Sequence, residues 1–371
     1  DVEAVAASAQ NGVGAMIQRY DGEEWPKEPL QAGMLLDAGV SDSYTVATSV
    51  LPILISKDKG VTYTTVDSIG GACQSATVTE EAISLVGGFI VSDPESAKNT
   101  NFYGVARSTD GGDSWTSSEI ADGDCRYGAF PSADVWYVSN GMWASDSTED
   151  SLSRSKTHFD SATSMKASFL DYSVSARATV GGVQKGGVTF RERSEHTKSG
   201  NANATDTATG WWGSITKTTD GGKTWSTVFE SDPNNDYWYF NSIACSSETH
   251  CVAVAEGDAN ADGGYAALAF VTFDAGTTWT NTLTDDVLPD NIVSIMGASW
   301  VSDTEGWLAA TAKSGPSLSG VFFKTTDGGK TYNVEQKLEN CFVMDMEFAN
   351  GVGYASCSSS SGGSASVAIY A

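Results

Sequence analysis

Positive charge is scarce in this sequence. Its 371 residues hold 21 Lys and Arg against 47 Asp and Glu, a formal net charge of −26. Nucleic acid and anionic membranes are bound through cations, so a chain this acidic is poorly suited to either. It fits a solvated extracellular or luminal protein; plain solubility is the first reading of so much charge, and attraction of cations or a basic partner the other. Histidine is scarcer still: His158, His196 and His250 are the only three. They are scattered, none stands in a nucleophile context of the GxSxG kind, and all three read as solvated loop residues. No apolar run approaches the roughly 20 residues that a membrane-crossing helix needs. No basic-then-apolar leader opens the chain at Asp1, as expected where one has been removed.

The six cysteines include no CxxC pair. An even number without that spacing favours disulfides over zinc, and hence an oxidising compartment. Cys245 and Cys251 flank a short turn-like stretch and could staple a hairpin. Cys341 and Cys357 flank two expected strands. Cys73 and Cys125 open successive units and could join neighbours. The sequon at Asn203 stands in a polar loop and is consistent with secretion and glycosylation.

What is abundant is glycine, at 39 residues, and a repeated phrase. The phrase is Ser/Thr-x-Asp-x-Gly-x-Ser/Thr-Trp/Tyr. It stands at Ser108–Trp115, Thr218–Trp225, Thr272–Trp279 and Thr325–Tyr332, with a weaker copy at Ser56–Tyr63. Asp followed by Gly-Gly is hairpin-turn chemistry: the carboxylate accepts from its own turn and Gly takes positive φ. The hydroxyls satisfy the remaining loop amides. The closing aromatic (Trp115, Trp225, Trp279 or Tyr332) has the apolar area to anchor the next strand. The aspartates, Asp58, Asp110, Asp220, Asp274 and Asp327, therefore read as structural rather than catalytic. Their separations are 52, 110, 54 and 53 residues. The step of 110 reads as two units with an eroded copy near 165, at Ser153–Phe159. A period near 50 with several short strands per unit marks a propeller or array.

These motifs resemble the Asp-box (BNR) repeat family, over most of the chain from about Gly33. That resemblance implies a β-propeller with the box between the third and fourth strands of each blade. Family members include sialidases, xyloglucanases, sortilin-type receptors and photosystem II stability/assembly factors. The wording Asp303-Thr-Glu-Gly-Trp-Leu-Ala-Ala310 followed by Gly320–Lys330 is most similar to the assembly factors.

The expected fold is all-β: one domain over 1–371, with an N-terminal arm and closing strands in 1–32 and repeat blades in 33–371. Seven four-stranded antiparallel blades are expected, closed by N- and C-terminal strands in one sheet, although six or eight would also fit. Inner strands are expected at Gly33–Asp37, Cys73–Val78, Cys125–Phe130, Tyr172–Ala178, Tyr239–Ala244, Ile292–Trp300 and Cys341–Phe348. Val2–Gln10 looks helical, and Asp21 with Trp25 forms a degenerate box.

Chemistry has few places to sit. The sialidase pattern needs an arginine cluster, and the nearest wording, Phe190-Arg-Glu-Arg193, stands in a polar loop. A glycosidase needs only two suitably spaced carboxylates, which so acidic a chain cannot help containing. Asp258, Asn260 and Asp262, followed by Gly263, match the first half of a Ca²⁺ loop. The ninth and twelfth positions are Ala266 and Ala269, and an acidic hairpin loop is the alternative. No other cofactor is expected. Trp211, Trp212, Tyr237 and Trp238 lie at loop-to-strand junctions, where they could stack on a ligand or pack in the sheet. The reading is a secreted or luminal, disulfide-stapled propeller acting without catalysis as a protein-interaction or assembly scaffold. Carbohydrate binding or hydrolysis is the alternative.

Overall fold

In a computed structural model the chain is described over residues 4–9, 15–20, 30–32, 35–49, 53–58, 61–66, 69–92, 99–120, 125–142, 212–231, 238–258, 265–283, 287–289, 291–314, 317–349, 352–358 and 365–370. These residues are strands and turns, arranged as successive antiparallel sheets in chain order. The molecule is an all-β propeller built on four-stranded antiparallel blades.

Among the described residues, five sheets have four strands. The first holds β4 (Leu35–Val40), β5 (Thr45–Ser49), β6 (Leu54–Ser56) and β7 (Thr64–Thr65). The second holds β8 (Ile69–Val78), β9 (Ile83–Ser92), β10 (Asn99–Ser108) and β11 (Thr116–Glu119). The third holds β12 (Cys125–Ala129), β13 (Trp136–Met142), β14 (Trp212–Thr218) and β15 (Ser226–Glu230). The fourth holds β16 (Trp238–Cys245), β17 (Cys251–Asp258), β18 (Tyr265–Thr272) and β19 (Thr280–Asn281). The fifth holds β20 (Ile292–Trp300), β21 (Gly306–Ser314), β22 (Ser317–Thr325) and β23 (Asn333–Glu339). Two three-stranded sheets flank them: β1 (Ala4–Ala9), β2 (Ala15–Tyr20) and β3 (Leu30–Ala32) before, and β24 (Phe342–Ala349), β25 (Val352–Ser358) and β26 (Ala365–Tyr370) after.

Inward of the exposed outer strands, alternate residues feed two cores by the two-residue alternation of side chains. On β21 and β22, Leu308, Ala310, Val321 and Phe323 pack toward Val252, Val254 and Val271 of the fourth sheet. The intervening Ala309 and Phe322 pack toward Val343 and Met346 of β24. The same sandwiching recurs between the first and second, second and third, and third and fourth sheets. Burying one Leu or Phe contributes about 1.5–3 kcal/mol, so these layers between sheets hold the propeller together.

The first strand of each sheet packs beside the first strand of the next, from β4 through β8, β12, β16 and β20 to β24. These strands make the inner wall. Each carries a β-bulge, at Leu35/Asp37, Cys73/Ser75, Cys125/Tyr127, Phe240/Ser242, Ile292/Ser294 with Ile295/Gly297, and Val343/Asp345. A bulge leaves backbone groups outside the ladder and re-aims side chains. Several freed amides are taken up by a side chain of the preceding sheet. Ala76 N donates to Asp37 Oδ2 at 2.7 Å, Ile295 N to Glu256 Oε2 at 3.0 Å, and Val343 N to Thr311 Oγ1 at 2.9 Å.

The structure differs from the sequence expectations in four respects. β13 pairs directly with β14, Trp136 opposite Thr218 through Met142 opposite Trp212. The step of 110 residues is therefore one blade with residues 143–211 inserted between its second and third strands, not two blades. The strand expected at Tyr172–Ala178 and the eroded box at Ser153–Phe159 lie in that insertion, outside the described residues. Secondly, the helical-looking start is strand β1, in register with β2 from Ala4 opposite Tyr20 to Ala9 opposite Ala15. Cross-strand pairing outweighs the helix propensity of its alanines. Thirdly, among the described residues β1–β3 and β24–β26 form separate sheets rather than one shared closing sheet, and five blades rather than seven are four-stranded. Lastly, Cys73 and Cys125 are buried thiols in neither disulfide. The degenerate box at Asp21 and Trp25 lies outside the described residues.

Candidate functional site

The five repeated turns share one hydrogen-bond pattern. In the third, Thr218 Oγ1 donates to Asp220 Oδ1 at 2.7 Å. Thr224 N donates to the same oxygen at 2.9 Å, and Thr224 Oγ1 donates to Oδ2 at 2.7 Å. Gly222 N closes back on Thr218 Oγ1 at 3.0 Å. Asp58, Asp110, Asp274 and Asp327 are held alike. Asp58 is brought down to about 2, chiefly by the Thr62 hydroxyl. The Ser114 hydroxyl lowers Asp110, the Thr224 hydroxyl lowers Asp220 and the Thr278 amide lowers Asp274. Burial pushes Asp327 up, but the bonds from Thr331 and Thr325 outweigh it and the carboxyl stays low. The oxygens of all five carboxylates are thus engaged inside their own turns.

The closing aromatics reach back one sheet. Trp225 Nε1 donates to Ser118 Oγ of the second sheet at 2.8 Å. Trp279 meets Tyr137 of β13 edge-on at 6.4 Å, and Tyr332 is buried among Val252 and Val254. Trp115 packs against the cluster containing Ile55, its Nε1 donating to Gly112 O at 3.1 Å.

The structure bridges Cys245 to Cys251 and Cys341 to Cys357. Two disulfides fit an oxidising, non-cytosolic environment, and among the described residues no helix is long and apolar enough to cross a membrane. Trp238 is core, 7 % exposed and stacked on Phe229 at 6.0 Å. Trp212 begins β14. Trp211, Tyr237, Asn203, Asn260 and Asp262 lie outside the described residues, and Asp258 ends β17. Among the described residues no group of three or more His, Cys, Asp or Glu is placed to hold a metal. His250, read from sequence as solvated, is 7 % exposed because its ring fills a gap between two sheets. His158 and His196 lie outside the described residues.

The notable chemistry is on the inner wall, at residues the sequence did not single out. Asp345 and Glu347 are two apart on β24, so they share a face, while Met346 between them enters the core. Both side chains are exposed to solvent, and the half-buried Asp37 of β4 lies within electrostatic reach. Desolvation pushes all three carboxyls up, and mutual repulsion adds to it for Asp37 and Glu347. Glu347 is raised to about 7. The available sequence signal was an acid at i and i+2 inside an otherwise apolar inner strand.

A second polar group spans β12, β16 and β17. Tyr239 Oη donates to Glu256 Oε1 at 2.7 Å, and the bulged Asn241 donates through Nδ2 to Ile295 O at 3.0 Å. The Arg126 guanidinium lies over the Tyr239 ring at 4.8 Å and the Tyr127 ring at 5.5 Å. Burial raises Glu256, against the Tyr239 and Asn241 bonds that hold it ionised. This set ties the third, fourth and fifth sheets together.

No protein-family model matches the chain, and no curated protein matches it. Solved structures do. A structure of YCF48 bound to a D1 peptide aligns with a TM-score of 0.51 at 10 % identity, covering 97 % of this chain and 86 % of that one. A polysaccharide lyase, the PL25 ulvan lyase, aligns with a TM-score of 0.51 at 11 % identity, covering 98 % and 90 %. The GH74 xyloglucanase from Xanthomonas campestris aligns with a TM-score of 0.53 at 11 % identity, over 96 % of this chain but 49 % of its own length. At such identities the likeness is one of fold.

Proposed function

We propose that this protein is a non-catalytic propeller of the Asp-box kind, working outside the cytosol as a scaffold that binds a protein partner through a basic segment. The observation that carries this reading is that Asp345 and Glu347 share a face of β24, with Asp37 of β4 within electrostatic reach. Three carboxyls raised by crowding and mutual repulsion are relieved by a Lys or Arg side chain brought between them. The net charge of −26 steers such a partner from a distance. Among the described residues, the five turn aspartates and Glu256 accept from backbone amides and side-chain hydroxyls. A peptide seated on the YCF48 propeller is a precedent for the fold. The two three-stranded sheets complete, on this reading, a ring of seven.

One observation favours a second reading. Glu347, raised to about 7, stands two residues from Asp345 on the same face of β24, and glycoside hydrolysis uses a pair of carboxyls, one of them with a raised pKa. A pull-down from the native extract with the folded protein as bait, beside a glycan array, separates the two. A stoichiometric protein partner without a glycan signal supports the scaffold. A defined glycan ligand, cleaved by the wild type and not by Glu347→Gln, replaces it with the hydrolase.

A further inference from the structure

The hairpin between β16 and β17 is short and closed by a disulfide, with Cys245 directly opposite Cys251 in the register. The five residues between them bond to three successive sheets. Tyr137 Oη, from the preceding sheet, donates to Glu248 O at 2.7 Å. Ala275 N, from the repeated turn of the hairpin's own sheet, donates to Thr249 O at 3.1 Å. His250 Nε2 lies 2.8 Å from Gly328 O, in the repeated turn of the following sheet. A carbonyl only accepts, so Nε2 carries the proton, and Nδ1 accepts from Ser246 Oγ at 2.6 Å. The imidazole stacks on Phe273 at 4.9 Å and meets Trp300 of β20 at 4.5 Å. Trp300 Nε1 in turn donates to Ala244 O, next to the bridge, at 3.2 Å.

We infer that the Cys245–Cys251 hairpin is a thiol-controlled staple across the third, fourth and fifth sheets, opened by a protein dithiol reductant of the thioredoxin class. Cys245 is half-buried at the end of its strand and its partner Cys251 is fully buried, whereas Cys341 and Cys357 are each 1 % exposed, so the Cys245 sulfur is the side open to attack. The accessible bridge is attacked first. A reductant thiolate displaces the Cys251 sulfur from Cys245, and the leaving thiolate takes a proton. The reductant's second thiol then resolves the mixed disulfide. Two electrons and two protons pass to the protein, which gains two thiols, and the dithiol becomes a disulfide. Without the cross-link, residues 246–250 gain conformational freedom, and the bonds to Tyr137, Ala275 and Gly328 must hold the loop unaided.

The test treats the folded full chain with thioredoxin or a low concentration of dithiothreitol, traps thiols with an alkylating agent, and follows hydrogen exchange by mass spectrometry. Cys245 and Cys251 are expected to label before Cys341 and Cys357. Exchange is expected to quicken about five- to thirtyfold in the segments holding Tyr137, Ala275 and Gly328, with the β24–β25 hairpin unchanged. Glutathione disulfide should restore the original pattern. The double variant Cys245→Ser, Cys251→Ser should show the reduced pattern without reductant, and His250→Phe should loosen only the Gly328 turn. Equal reduction of both bridges, unchanged exchange in the three segments, or cooperative unfolding of the whole chain would each overturn the inference.

Discussion

At the scale of single residues, the second glycine of the third repeated turn is fixed by two demands at once. Gly222 has φ +83°, and a Cβ there would lie 2.5 Å from both Trp136 Cζ3 and Ser118 Oγ in the neighbouring strands. Gly222→Ala should cost about 1–3 kcal/mol from strain and overpacking together, read as a lower urea midpoint with an unchanged m-value. The turn aspartates make the opposite kind of statement. Their folded carboxyls lie below the unfolded value, Asp58 at about 2. The stability they contribute is complete above about pH 4 and is lost as pH falls through the folded values. Urea unfolding of Asp220→Asn should therefore differ from wild type at pH 5 and converge with it toward pH 1. A difference that persisted unchanged at the lowest pH would assign the effect to something other than the carboxylate.

At the scale of elements, the decisive feature is that alternate residues of one strand serve two cores. Phe323 is fully buried toward the fourth sheet and Phe322, 2 % exposed, toward the last. Phe323→Ala should cost about 3–5 kcal/mol, and slowed exchange should be lost first on the β17–β18 side. Loss confined to the β24 side would mean that the alternation is assigned wrongly. Most of these strands were legible in the sequence. The expected inner strands at Cys73–Val78, Cys125–Phe130, Tyr239–Ala244, Ile292–Trp300 and Cys341–Phe348 fall within or next to β8, β12, β16, β20 and β24. A two-residue period and Asp-Gly-Gly turns are local signals, and local signals survive in one sequence. The insertion at 143–211 was not legible, because strand pairing across 69 residues leaves no local trace, and a step of 110 is close to twice the period. Strand β1 was misread because an Ala-rich stretch favours helix until a partner strand is present. The inner-wall carboxyls were missed because Asp37 and Asp345 meet only when distant strands are brought round one axis. His250 was missed because its burial depends on the turn at Gly328, in the next sheet.

At the scale of the whole molecule, charge decides the behaviour. Glu347 is raised in the folded protein to about 7, against about 4.3 for an unfolded glutamate. The folded state therefore holds the proton more tightly between these values, and stability rises as pH falls through that window. Fewer ionised acids on a chain of −26 act in the same direction. The melting temperature should climb from pH 8 to pH 5, and Glu347→Gln should flatten the part of that rise lying between about pH 7 and 4.5. An identical profile for the variant would show that Glu347 titrates normally.

The central claim is that the inner-wall carboxyls receive a cationic group from a protein partner. The most direct measurement is isothermal titration of the folded protein with a short Lys/Arg-rich peptide, at low and at high salt, for wild type and for the triple variant Asp37→Asn, Asp345→Asn, Glu347→Gln. The account predicts saturable binding of one peptide per chain, weakened by salt and lost in the triple variant while the melting temperature is retained. Equal binding by the variant, or heats that scale with bulk charge and never saturate, would contradict it and leave the acidity of this chain a matter of solubility alone.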